Sequence, residues 1–275
     1  MSLPEVAMRL FLLLLAVLLP SQTLATGPDP APCRDAVPCP LGERAYHVRE
    51  PDDWDGVTPL PVLLHFHGWM RQGPLIVNHG RISGATRRRG VLLLAPNGAG
   101  KTWDFWTRRT DDVDFAAAVI EDAAKRYPID RNRVFVSGYS YGAAMAWRYA
   151  CENGNGVAAV LAVSGTLDQD EDCAEAPAEF RHVHGTRDTV LRFPFGPEGE
   201  TTWPVKLWRD RMGCDGPGQE AEDWSITEHD TFARTTWGCA RGRVLLDVHA
   251  RGHFIPRGWI ARQLDELLDL PPSYP

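Results

Sequence analysis

A hydroxyl, an imidazole and a carboxylate make a hydrolytic site when they meet in the right order, and this chain offers one of each in strand-end positions. Ser140 sits in Gly138-Tyr139-Ser140-Tyr141-Gly142, preceded by the apolar run VFV and followed by AAMAWRYA. A G-x-S-x-G between a strand and a helix is a nucleophile elbow: the turn is strained, the glycines remove clashes, and the serine is held at the sheet edge. A serine hydroxyl needs a base to take its proton, and the base needs a carboxylate to orient it. On an elbow of this kind the chain order is serine, acid, histidine. Asp188, in HGTRDTV just past a short strand, and His253, in VHARGHFIPRG just past another, satisfy that order.

The competitors are weaker. Asp168 follows the run AAVLAVSG but lies among Gln169, Asp170, Glu171 and Asp172, as a solvated loop acid would. His249 belongs to a strand, His229 to a polar loop, and His182 and His184 flank Val183 on one strand, so they share a face. The developing oxyanion needs donors. The expected ones are the backbone N–H of Tyr141 and that of Trp69, in LLHFHGWMRQG, where Gly68 lets the chain turn. His65 and His67 alternate in the same strand; two histidines without a third clustered ligand are poor grounds for a metal, and bracing the oxyanion loop is their expected task. No metal or organic cofactor is called for.

Elements must carry these groups to one edge. PVLLHFHG, GVLLLAPN, RVFVSGYS, AAVLAVSG, FRHVHGT and RVLLDVHA are short apolar runs ended by small or turn-forming residues. Runs of this length suit strands buried on both faces of a parallel sheet. Between them, DVDFAAAVIEDAAKRY reads as a helix with Asp111 or Asp112 as N-cap and Pro128 at its end. YGAAMAWRYAC continues from the serine turn, and WIARQLDELLDL is amphipathic. The alternation predicts an α/β protein with a mostly parallel, doubly wound sheet and helices on both faces.

The bulk properties agree. A chain of 275 residues with 44% hydrophobic residues can fill one large core, and a net charge of −7 argues against nucleic acid as the main partner. Arg87-Arg88-Arg89 is the one basic cluster and reads as a solvated helix end. Arg9 followed by LFLLLLAVLL, Pro20 and SQTLA predicts a signal peptide over residues 1–25, too short in its apolar core to span a bilayer comfortably once the protein is mature, with Met8 as an alternative start. An extended Pro-rich segment over 26–44 and a catalytic domain over 45–275 follow. Cys33, Cys39, Cys151, Cys173, Cys214 and Cys239 all lie beyond the signal, which in an exported chain reads as disulfides. Six cysteines allow 15 pairings, which sequence leaves open; joining sequence neighbours is the simplest expectation. A secreted or periplasmic protein is implied.

Taken together, LPVLLHFHGW, VLLLAPNG, the block from DDVDFAAAVIEDAAKRY through PIDRNRVFVSGYSYGAAMAWRYAC, HGTRDTV, and WRDRMGCDG with WGCARGRVLLDVHARGHFIPRG resemble the exported poly(3-hydroxybutyrate) depolymerase-like esterases. These share a fold with feruloyl and acetyl xylan esterases of the esterase D type. The resemblance runs from about Leu60 to Trp259. It implies the α/β-hydrolase fold, Ser140, Asp188 and His253 as triad, and Cys214 paired with Cys239. It implies a serine carboxylesterase acting on small esters or on ester-bearing polysaccharide or polyester; a hydrolase-fold binding protein without turnover is the alternative. Trp69 stands where the family often has a small residue, and a tryptophan there would narrow the acyl pocket. Trp103, Trp106 and Trp259 are candidate cleft residues, suited to an aromatic or sugar-linked ester.

Overall fold

The computed structural model describes residues 33–273; the expected signal peptide and residues 26–32 lie outside the described residues. In chain order the strands are β1 (Cys39–Leu41), β2 (Arg44–Arg49), β3 (Leu60–Phe66), β4 (Leu92–Pro96), β5 (Ile129–Tyr139), β6 (Ala159–Val163), β7 (Glu179–Gly185), β8 (Gln219–Glu220), β9 (Trp224–Ser225), β10 (Thr231–Cys239) and β11 (Gly242–His249). The α-helices are α1 (Gly73–Val77), α2 (Ser83–Arg87), α3 (Asp111–Ala123), α4 (Tyr141–Asn153), α5 (Lys206–Met212) and α6 (Trp259–Leu267). All six apolar runs became the parallel centre of the sheet, in the order β4-β3-β5-β6-β7-β11. The antiparallel β1 and β2 extend one side, and β10 with β8 the other.

Side-chain alternation along the central strands divides the core in two. Val62, Leu64 and Phe66 join Val134, Val136, Val160 and Ala162 on the face covered by α3, α4 and α5. Leu63, Phe135, Leu161 and Val183 face the other way, against α1, α2 and α6. A sheet covered on both sides needs apolar residues at successive positions, which is why these strands read as continuous runs. Chain order places the switch point between β3 and β5: β4 lies to one side of β3, whereas β5 and its successors lie to the other. Crevices at the carboxyl ends of such a pair are where this architecture binds ligands.

Two boundaries depart from expectation. Thr110 holds the N-cap position of α3 without a side-chain capping bond, with Asp111, Asp112 and Asp114 in the first turn. Asp112 is instead buried, taking the Asp104 N–H at 2.7 Å and pairing with Arg44 at 2.7 Å, so a tertiary contact claimed one of the two residues that local propensity offered as the cap. At the N-terminal side, β1 and the first residue of β2 already belong to the sheet ahead of residue 45, and the compact unit begins at Cys33. Cys33–Cys39 ties that edge down. Cys151–Cys173 joins the end of α4 to the loop after β6, and Cys214–Cys239 joins the segment after α5 to β10.

Candidate functional site

Strand β5 ends at Tyr139 and α4 begins at Tyr141, leaving Ser140 alone at the corner. Its φ of 59° and ψ of −124° are strained for a residue with a side chain, and such strain persists only where the surroundings over-determine it. Here they do. Ser140 N donates to Val163 O at 2.9 Å, and Ser140 O accepts from Ala143 N at 2.9 Å and Ala144 N at 3.1 Å. The flanking glycines are sterically required: a Cβ on Gly138 would lie 2.0 Å from Gly142 O, and one on Gly142 would lie 2.0 Å from Phe66 O. Sequence reasoning missed a third such position. Gly165, ending the β6 run, packs so closely that a Cβ would lie 2.3 Å from Ser140 O; the small pair in AVSG was its only signal.

Asp188 and His253 are brought together because β7 and β11 are neighbours and their pairing continues past the strand ends. His249 pairs with Gly185, then Thr186 N donates to His249 O at 2.9 Å and Arg187 N to Arg251 O at 3.0 Å. His253 Nδ1 donates to Asp188 Oδ2 at 2.6 Å. The other carboxylate oxygen, Oδ1, accepts the N–H groups of Val190 and Leu191, both at 2.9 Å. Burial would raise the Asp188 pKa, but hydrogen bonds from His184, His253 and the Val190 N–H outweigh it and hold the group at about 2. Tyr139 sets the imidazole over the corner: its hydroxyl donates to His253 O at 3.1 Å, with ring centres 4.9 Å apart. Among the described residues no hydrogen bond joins Ser140 Oγ to His253; in such sites that bond commonly tightens only on the substrate complex.

The two expected oxyanion donors flank this corner. Neither Trp69 N–H nor Tyr141 N–H is taken by an acceptor among the described residues. The loop bearing Trp69 is lashed to the loop after β4. His67 Nε2 accepts the Gly98 N–H at 3.0 Å, which leaves its proton on Nδ1, donated to Gly68 O at 2.8 Å. Burial lowers the His67 pKa to about 4, keeping the ring neutral as this pattern requires. Trp103 Nε1 donates to His67 O at 2.8 Å, and Met70 N to Lys101 O at 2.8 Å. His67 thus braces the loop as expected, whereas His65 is buried in β3 with its Nδ1 2.6 Å from Ser137 Oγ.

The three cleft tryptophans separate. Trp106 is 63% exposed and stacks on Phe105 at 4.1 Å, with Tyr141 5.7 Å away. Trp103 and Trp259 are fully buried, so neither lines a cleft. Trp103 supports the loop that bears Trp69. Trp259 Nε1 donates at 2.7 Å to the buried Asp247 carboxylate, which also takes Trp224 Nε1 and Arg234; a buried carboxylate gathers every available donor, and this one holds α6 to the sheet. Trp69 is 61% exposed, and its ring turns toward that of Tyr141. Gly68 and Arg71 line the cavity beside the corner and Trp69 does not, so the tryptophan leaves that cavity unnarrowed. Asp168 is an exposed loop acid and His229 an exposed loop histidine. His182 and His184 share a face, 3.2 Å apart between Nε2 and Nδ1. A role for His184 escaped the sequence: its Nε2 lies 2.9 Å from Leu191 O and 3.3 Å from Asp188 Oδ2. Among the described residues no cluster of histidine, cysteine, aspartate or glutamate could hold a metal ion.

A mostly parallel sheet with a serine at a strained strand-to-helix corner, beside a paired histidine and aspartate, defines an α/β hydrolase. Residues 112–203 match the phospholipase/carboxylesterase family model. A bifunctional acetylxylan esterase/xylanase of Neocallimastix patriciarum is 27% identical over 76% of this chain and 31% of its own length. The "Probable feruloyl esterase C" of Aspergillus niger is 29% identical over 58% of this chain and 60% of its own. This chain therefore spans under two thirds of the length of those two relatives. An acetyl xylan esterase structure from Aspergillus awamori superposes with a TM-score of 0.60 at 17% identity, covering 78% of this chain and 90% of that one, a likeness of fold. The chain is similar to esterases built on the α/β-hydrolase fold.

Proposed function

We propose that the protein is an exported serine carboxylesterase working through an acyl-enzyme. The hydrogen bond from His253 to Asp188, at 2.6 Å beside the Ser140 corner, carries this reading. Ser140 Oγ attacks the ester carbonyl carbon while His253 takes its proton; the N–H groups of Trp69 and Tyr141 hold the oxyanion. The imidazolium returns the proton to the departing alkoxide, releasing the alcohol. Water, deprotonated by His253, then attacks the acyl carbon, and the serine leaves with its proton restored. Asp188 keeps the ring in the required tautomer and stabilises its charged form without itself taking the proton.

The aromatic surface that exposed Trp69 and Trp106 form with half-buried Phe105 and Tyr141 favours esters attached to sugars or aromatic rings, in keeping with the feruloyl and acetylxylan activities in the relatives' names. Three disulfides suit an oxidising compartment and support export by residues 1–25. Fluorophosphonate labelling and p-nitrophenyl ester turnover test the mechanism. The wild type is expected to be labelled and active, and Ser140→Ala folded, unlabelled and slower by at least about 10³-fold. A folded wild type that takes no label and turns over no ester would instead be a binding protein on a hydrolase fold.

A further inference from the structure

Beside the corner, between the oxyanion loop and the segment after His253, lies a cavity of about 340 Å³. That volume lies at the small end of the range that holds ligands. It is continuous with the site already described, since Gly68, Tyr139 and Phe254 all line it. Leu75, Ile76, Phe254 and Ile255 give it apolar walls suited to a short hydrocarbon chain.

Its charged side chains are both arginines. Arg71, His79 and Arg81 line it together with His65, and no aspartate or glutamate is among the described residues that do. Arg81 is engaged, donating to Ile255 O and lying over the Phe254 ring. The Arg71 backbone N–H donates to Gly68 O at 3.2 Å, but its exposed side chain has neither ion pair nor hydrogen bond among the described residues. Two imidazole nitrogens, His65 Nε2 and His79 Nδ1, are buried without a hydrogen-bond partner, and His65 is wholly inaccessible. Both atoms are closed to solvent, so the Arg71 side chain is the polar group that a ligand in the cavity can reach. An unpaired guanidinium above apolar walls calls for a carboxylate, which it can bind through two parallel hydrogen bonds.

We propose that this cavity selects esters bearing a free carboxylate on a short apolar chain, such as half-esters of dicarboxylic acids or acid-ended oligoesters, with Arg71 as the residue that recognises the charge. This rests on the esterase reading above. The net charge of −7 makes the preference diagnostic, because the protein as a whole repels an anionic substrate.

The test compares mono-p-nitrophenyl glutarate with its methyl ester, a neutral substrate of matching chain. The wild type is expected to give a higher kcat/KM for the acid by about tenfold, mostly through KM, with the advantage shrinking in 1 M salt. Arg71→Gln is expected to abolish the advantage and Arg71→Glu to reverse it; thermal unfolding verifies that both variants remain folded. Hydrolysis of the methyl ester without preference for the acid, or a preference that survives Arg71→Gln, overturns the assignment while leaving the esterase intact. Failure to cleave either ester removes the esterase reading and this inference with it.

Discussion

His184 Nε2 lies 3.3 Å from Asp188 Oδ2, the same oxygen that receives the His253 Nδ1 proton at 2.6 Å. One carboxylate oxygen therefore answers to two imidazoles, while Oδ1 is occupied by two backbone N–H groups. His184 is itself held by His182 at 3.2 Å and by Leu191 O. The carboxylate is fixed in position and in charge before any substrate arrives.

Replacing His184 should weaken that hold. His184→Phe is expected to raise the Asp188 pKa toward its ordinary value and to lower kcat by about tenfold, with KM less affected. His184→Gln, which keeps a donor, should recover part of the loss. A kcat–pH profile of the two variants checks this; identical profiles would argue for a packing role only.

The depressed Asp188 pKa has a consequence for stability. The folded state prefers the carboxylate, so this contribution is complete above the ordinary value of 3.8 and is lost as pH falls toward about 2. Asp188→Asn is expected to be less stable than the wild type near neutrality and to lose less stability on acidification. Urea unfolding at pH 6 and pH 3 measures the difference. The same variant should lose activity by about 10³- to 10⁴-fold, because the histidine loses its orienting charge.

The elbow glycines make a steric prediction. Gly142→Ala places a methyl 2.0 Å from Phe66 O, a backbone atom that cannot swing aside. It is expected to destabilise the fold by about 3 kcal/mol or more and to displace Ser140. Gly156→Ala, with nothing within 4 Å of the added carbon, is the control and should stay within about 0.5 kcal/mol of wild type. Calorimetry and ester turnover on both variants decide the point.

His67 should matter to rate more than to stability of the whole fold. His67→Phe removes the acceptor for Gly98 N–H and the donor to Gly68 O, loosening the loop that presents Trp69 N–H. The expected result is a fall in kcat of about ten- to a hundredfold, with a smaller change in KM. Equal falls in kcat for a substrate whose carbonyl oxygen is replaced by sulfur, a poorer acceptor, would count against an oxyanion role.

Opening Cys151–Cys173 by Cys151→Ala with Cys173→Ala frees a 22-residue separation. A loss of about 3 kcal/mol is expected from the larger entropy of the unfolded chain. The bond also anchors the far end of the helix that follows Ser140, where Arg148 grips Glu171 through two hydrogen bonds of 2.9 Å. Denaturant unfolding of the double variant reads the loss directly.

What could be read in the linear chain was whatever repeats locally or obeys a short steric rule. The six central strands were legible because a two-sided sheet demands unbroken apolar runs, and the elbow because glycine alone allows the approaches seen at Gly138 and Gly142. Asp188 and His253 were legible as strand-end groups in the required order. Other features depended on partners distant in sequence. Trp103, Trp106 and Trp259 look alike in the chain, yet burial against His67 and Asp247 made two of them braces and left one at the surface. His184 acquired its contact with Asp188 from the turn after β7, and the cationic cavity exists only because the segments following β3 and His253 converge. Local sterics are written into neighbouring residues, whereas the surroundings of a side chain are set by which distant segments the sheet order brings beside it.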